Sequence, residues 1–162
     1  MGPHNGSVVY AFQPRRVVAL LKAKGWTMDD YLRRGFDRFW VQRKTRVDGP
    51  KLKDAVRLAA WLEVPMEYLY GGAPEYTRMK PWEVAAHSSL DLFFKRHADG
   101  REAHPFRREL EARLAGPPAR VPKTIEAWAG AFDSFQAGRR REHADAASLE
   151  RSVSTDRPAT QG

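Results

Sequence analysis

The chain has 162 residues, 42% hydrophobic and 11% aromatic, which suits one ordinary domain, or a domain of roughly 70 residues with an appendage, and excludes a wholly disordered chain. The absence of cysteine excludes disulfides, thiol nucleophiles and cysteine metal sites, and it fits a reducing cytosol. The formal net charge of +8 favours polyanionic partners, and no apolar run approaches the roughly 20 residues of a membrane span.

In chain order, residues 1–14 read as a flexible arm, beginning MGPHNGSVVYAF without the basic and apolar regions of a signal peptide. Within it, Val8–Phe12 is the one short candidate for a strand. Pro14 marks the entry to a helix over 15–24, with Val17, Val18, Leu20 and Leu21 at helical spacing, and Gly25 closes it. Thr27 is the expected N-cap of a second helix, Met28 to Arg34, with Asp29 and Asp30 in its first turn and Tyr31 and Leu32 as apolar contacts. Gly35 breaks it. Asp37 is the expected N-cap of a third helix, Arg38 to Arg46, and Asp48-Gly49-Pro50 is a turn. A fourth helix is expected from Lys51 to Glu63, with Leu52, Ala55, Val56, Leu58, Ala59 and Leu62 as its apolar face. Pro65 starts a short fifth helix with Tyr68 and Leu69 inward, and Gly71-Gly72 ends the 15–72 unit.

Residues 73–80 read as a linker. Beyond it a helix is expected from Pro81-Trp82 to about Ala98, with Val84, Leu90, Leu92, Phe93 and Phe94 as apolar members. Another is expected at 102–115 with Phe106, Leu110 and Leu114, and a last one at 123–138 with Ile125, Trp128, Phe132 and Phe135. Asp99-Gly100 and Gly116-Pro117-Pro118 separate these helices. The 81–138 region reads as a helical dimerisation or partner unit, its aromatic stripe a core where covered and an interface where exposed. Residues 139–162 are charged and small and are expected to be a disordered tail. The fold class is all-α.

The charge is unevenly placed. Residues 1–80 carry a net +7 and residues 81–162 a net +1, while 33–57 alone holds nine cations and three anions, a net +6. Such a cluster is the footprint of nucleic-acid binding or a solvated face kept for solubility.

Residues 15–72 resemble the lambda-repressor-like helix-turn-helix domain of the Cro/Xre family of transcriptional regulators. Order and spacing carry the resemblance: VVALLKAKGWT, then a short helix ending at Gly35, then a basic helix, then LKDAVRLAAWLEVPMEYLYGG, which is similar to the family's fourth and fifth helices. It covers 58 of the 162 residues. Met28 stands where the family usually has Gln, Leu32 or Arg33 where it has a small residue, and Thr45 nearest its usual Glu.

The resemblance implies an N-terminal five-helix DNA-binding domain followed by a helical C-terminal region. It implies a bacterial or phage sequence-specific regulator, cytoplasmic and nucleoid-associated, with a repressor of phage or mobile-element type favoured. The implied partners are double-stranded DNA, a second copy through the C-terminal helices, and a further protein; no membrane and no cofactor are expected. In such domains the third helix lies in the major groove, where Arg and Gln suit guanine and adenine edges and neighbouring cations neutralise phosphates. With Phe36 and Val41 buried, Arg38, Phe39, Gln42, Arg43 and Arg46 face outward; with Phe36, Phe39, Trp40 and Val47 buried, Arg38, Val41, Gln42, Thr45 and Arg46 do. The candidate DNA-binding residues are Thr27, Arg38, Phe39, Gln42, Arg43, Lys44, Arg46, Lys51 and Lys53. Thr27 is first a cap, and its helix N-terminus can also meet a phosphate. Lys51 and Lys53 touch the DNA backbone or sit on a solvated turn, and Arg15 and Arg16 are weaker candidates.

Other chemistry finds little support. His4, His87, His97, His104 and His143 lack the tight local pairs of a zinc site. Ser88-Ser89 with Lys95 lacks the strand-rich context of a self-cleaving repressor's peptidase, and no phosphate loop or paired-carboxylate motif stands out. No enzymatic activity and no metal are expected. Two further readings of the basic face stay open: a protein-binding helix-turn-helix adaptor or antitoxin, and a nucleoid-associated protein without sequence preference.

Overall fold

The first half of the chain is punctuated by helix ends that trace to single residues. In the computed structural model, which describes residues 11–42, 49–96 and 106–156 and side chains as far as 151, α1 spans Pro14–Lys24. Pro14 sits in its first turn, where an N–H would have no intrahelical partner. Gly25 ends it at φ 72°, so the Gly25 and Trp26 N–H groups return to the Lys22 and Leu21 carbonyls at 3.1 and 2.9 Å. α2 spans Met28–Arg33 and starts on a reciprocal capping box. The Asp30 N–H donates to Thr27 Oγ1 at 3.1 Å and the Thr27 N–H donates to Asp30 Oδ2 at 2.8 Å. Those bonds hold the Asp30 carboxyl below its ordinary pKa.

α3 spans Leu52–Leu62 and α4 spans Pro81–Arg96. Between them a 3-10 helix, Met66–Tyr70, buries Tyr68 and Leu69 as expected. α5 spans Arg107–Ala112 and runs on into a 3-10 turn at Arg113–Ala115; a further 3-10 turn at Pro118–Arg120 precedes α6, Ile125–Asp156. Every regular element among the described residues is helical, and no helix among them is long and apolar enough to cross a membrane.

Two apolar cores share one helix. The first joins Val17, Leu20 and Leu21 of α1, Tyr31 of α2, Phe36, Leu58 and Leu62 of α3, Leu69, Tyr76, and Val84 and Ala85 of α4. The second joins Ala86, Leu90, Phe93 and Phe94 of α4 to Phe106, Leu110, Val121 and α6 residues Trp128 and Phe132. The switch from Ala85 to Ala86 is the 100° step of the helix, which turns one flank of α4 to each core.

Several expectations need correction. Of the third helix, expected over Arg38 to Arg46, the described residues form a 3-10 turn at Arg38–Trp40 with a turn at Val41 and a bend at Gln42 in place of α-helix; Arg43 to Arg46 lie outside the described residues. Phe39, Trp40 and Val41 in a row favour little α-helix, because bulky and β-branched side chains lose rotamer freedom there. Leu52 and Val56, expected on the inward face of α3, are 69% and 52% exposed. Ala55, Leu58, Ala59 and Leu62 fill the inward positions, and the small alanines let α3 lie close to its neighbours. The 73–80 stretch is no bare linker: Ala73 and Tyr76 are buried in the first core, and the Tyr76 hydroxyl donates to Asp91 Oδ2 of α4 at 2.6 Å. Of the helix expected at 102–115, residues 102–105 lie outside the described residues and the described part is α-helical over Arg107–Ala112 before a 3-10 turn, while the last helix continues past 138 to Asp156 instead of giving way to a disordered tail. The arm at 1–10, residues Arg43 to Asp48, the turn at Asp99-Gly100 and residues 157–162 lie outside the described residues.

Candidate nucleic-acid interface

The short turn carrying Arg38 is held from behind. Asp37 caps it by accepting the Phe39 N–H on Oδ1 at 2.8 Å. The Asp37 carbonyl accepts the hydroxyl of buried Tyr31 at 2.6 Å, and burial raises the Tyr31 phenol well above its ordinary pKa. Phe36, just before the turn, packs against Tyr31 and Trp61 with ring centroids 5.4 and 5.5 Å apart, and Trp61 stacks on Trp26 at 4.8 Å. The Arg57 guanidinium covers the Phe36 ring at 5.2 Å and donates to the Arg34 carbonyl at the end of α2 at 3.1 Å.

On that support Arg38, Phe39 and Gln42 all point outward, Phe39 with 66% of its surface exposed, while Trp40 and Val41 are half-buried against the first core. Phe36 is buried as both expected registers require, Phe39 is outward as in the first, and the 3-10 geometry matches neither fully. Arg43, Lys44 and Arg46 lie outside the described residues. Lys51 is the N-cap residue of α3 and Lys53 follows in its first turn; both are exposed. Arg33, Arg34 and Arg57 add exposed cations on the same stretch. The ion pairs among the described residues include Lys24–Glu63, Arg57–Asp54 and Arg107–Glu111, and Arg38, Lys51 and Lys53 have no carboxylate partner among the described residues.

Thr27 is the least available of the expected contacts. Its hydroxyl and its N–H are both engaged in the capping box, and Asp29 and Asp30 place two carboxylates where a phosphate would approach. Arg16 turns inward, donating to the Tyr68 carbonyl at 2.6 Å and lying 4.3 Å over the Tyr68 ring, whereas Arg15 is exposed. Arg15 and Lys22 border a shallow groove with Val18, Ala19 and Val41, which brings one face of α1 up to the turn.

The sequence reading missed the junction behind this face. Lys24, at the end of α1, has a fully buried side chain whose ammonium donates to Glu63 Oε1 and to the Lys123 carbonyl, each at 2.8 Å. Glu63 ends α3 in a left-handed conformation at φ 61° and also accepts the Ile125 N–H at the start of α6, at 3.1 and 3.2 Å. Its carbonyl accepts the Ser88 hydroxyl at 2.7 Å. One residue thus joins four helices. A lysine after "LLKA" and a glutamate before "VP" carry no local sign of meeting.

Among the described residues, no group of three or more His, Asp or Glu could hold a metal ion. Ser88 and Ser89 are buried and hydrogen-bonded, Ser89 receiving the Trp128 indole N–H at 3.0 Å, so neither stands ready as a nucleophile. Comparison of the chain with family models, with curated proteins and with solved structures gives no match.

Proposed function

We propose that this chain is a sequence-specific, double-stranded-DNA-binding transcriptional regulator, with residues 15–72 acting as a lambda-repressor-like reading head. A repressor of phage or mobile-element type is the favoured form. One observation carries the reading: every described cation of the +6 stretch, Arg33, Arg34, Arg38, Lys51, Lys53 and Arg57, is exposed around a braced turn that turns Arg38 and Gln42 outward. Arg38 and Gln42 would read base edges, and Lys51 and Lys53 would neutralise phosphates. The segment after Gln42 would complete the contact.

Selection from a random duplex library at about physiological salt tests this. An enriched motif that Arg38→Ala or Gln42→Ala degrades supports base readout. Binding without enrichment supports a nucleoid-associated protein instead. Exposed Phe39, Leu52 and Val56 favour a second reading, a protein-binding adaptor or antitoxin, because large apolar side chains in a basic patch are what a protein partner buries. Absence of any duplex binding would turn the search to such a partner.

A further inference from the structure

We infer that the outer face of α3 docks an acidic amphipathic helix of a partner protein. The inference deepens the protein-binding reading of the basic face, on which it rests, and does not depend on base readout. α3 buries Ala55, Leu58, Ala59 and Leu62. At 100° per residue, Leu52, Val56 and Ala60 follow one another at four-residue spacing along the side of the helix next to that buried face. All three are exposed, Leu52 to 69% and Val56 to 52%, and none belongs to either core. The other large apolar side chains left exposed among the described residues, Val18, Phe39 and Leu149, sit on three separate elements; Leu52 and Val56 share one helix face. The stripe runs about 12 Å along the axis, a little over two turns, which is the length over which one helix lays an apolar stripe against another.

Charge identifies the occupant. Lys53 and Arg57 flank the stripe on its solvent side, and Lys51 stands at its head. Arg57 donates to the Arg34 carbonyl at 3.1 Å, which brings the exposed cationic end of α2 to the same flank. From Lys51 to Ala60 one carboxylate, Asp54, opposes three cations, and it lies 3.5 Å from Arg57. Lys51 opens α3 without a side-chain cap, so the N–H groups of the first turn add their pull on a carboxylate. A second copy on this face would set like charges together. Duplex DNA would satisfy the cations, yet its contacts are mostly polar and charged and give Leu52 and Val56 little to pack against. A helix with apolar residues along one stripe and glutamates beside it meets both features.

Fluorescence anisotropy on the full chain tests the docking, with a labelled synthetic helix of about five turns as the probe, leucines along one stripe and glutamates beside it. Saturable binding is expected. Leu52→Gln combined with Val56→Gln should weaken it about tenfold or more, because two apolar contacts are lost, with the melting temperature kept, because both side chains face solvent. Lys51→Gln with Lys53→Gln should weaken it too and flatten its salt dependence. A peptide of the same composition with its leucines dispersed around the helix should bind at least about tenfold less tightly, since it keeps the charge and loses the stripe. No binding of the acidic helix, equal binding of the dispersed peptide, or indifference to the Leu52 and Val56 changes would each overturn the docking site. A Leu52 and Val56 variant that loses a selected duplex and keeps the peptide would assign the stripe to DNA and overturn it as well. None of these results bears on Arg38 and Gln42, so base readout is judged separately.

Discussion

Removing Glu63 probes how the two cores are joined. The Lys24 ammonium is fully buried and keeps, without Glu63, only the Lys123 carbonyl at 2.8 Å. Leaving one partner of a buried pair alone costs about 3–5 kcal/mol. The loss of the Ile125 N–H acceptor adds to this, on the order of 1 kcal/mol, as for a lost helix cap. Against a total of about 5–15 kcal/mol, Glu63→Ala should lower the melting temperature by about 10 °C. Lys24→Met in the same chain should restore part of that, since it removes the stranded charge. Urea unfolding followed by circular dichroism and tryptophan fluorescence, run as a double-mutant cycle, measures the coupling, expected at about 1–3 kcal/mol. Burial lowers the Lys24 pKa from 10.5, and Glu63 only partly opposes this. Between the lowered folded value and 10.5 the unfolded chain binds more protons, so stability rises with pH across that window. The rise should steepen in Glu63→Ala. A single-variant loss below about 1 kcal/mol, or zero coupling, would refute the argument that this pair ties α1 to α6.

Four further outcomes are expected. Thr27→Ala should cost about 1 kcal/mol of stability through the lost capping box, read by thermal melting. Tyr31→Phe should cost about 1–3 kcal/mol by leaving the buried-side Asp37 carbonyl without its donor. Because the folded Tyr31 pKa is raised, the wild type should lose stability as pH rises above 10, and Tyr31→Phe should lose less, with Tyr76, Tyr68 and Tyr70, all raised by burial, supplying the remainder. Arg38→Ala and Gln42→Ala should each cost about 1–3 kcal/mol on a selected site while leaving the melting temperature unchanged; equal losses on random duplex would argue against base readout. Lys51→Ala and Lys53→Ala should each lower the salt dependence of binding by about one counterion, measured by titrating salt.

The helix ends were legible because each depends on a few adjacent residues. Gly25 after "KAK", Thr27 three residues before Asp30, Asp37 before Phe39 and Gly71 after "YLY" declare themselves locally, and all act as expected. The inward stripes Tyr68–Leu69 and Trp128–Phe132 were legible for the same reason. What could not be read depends on distance. Lys24 and Glu63 lie 39 residues apart, and Arg57 reaches back 23 residues to Arg34. Leu52 and Val56 fit the helical period of α3, and only the placement of neighbouring helices decides that Ala55 and Ala59 face inward instead. The candidate site was legible in composition, as nine cations in 25 residues, but its geometry was not: an aromatic run was read as helix by continuity.

The two flanks of α4 have a practical consequence. A chain cut at 73–80 would not release a free-standing N-terminal unit, because Tyr76, Val84 and Ala85 would be withdrawn from the first core and α1 would face water. The boundary a deletion series would choose by eye is therefore a poor one, and the shortest autonomous fragment must reach at least through α4. Nor can the N-terminal unit swing on a tether: with Glu63 clamping the start of α6, the whole molecule should tumble as one body. If the basic face binds DNA as proposed, any second copy joined through the C-terminal helices would hold the two faces at a set distance, so the spacing between paired sites would be dictated by the rigid helices and not by slack in a linker.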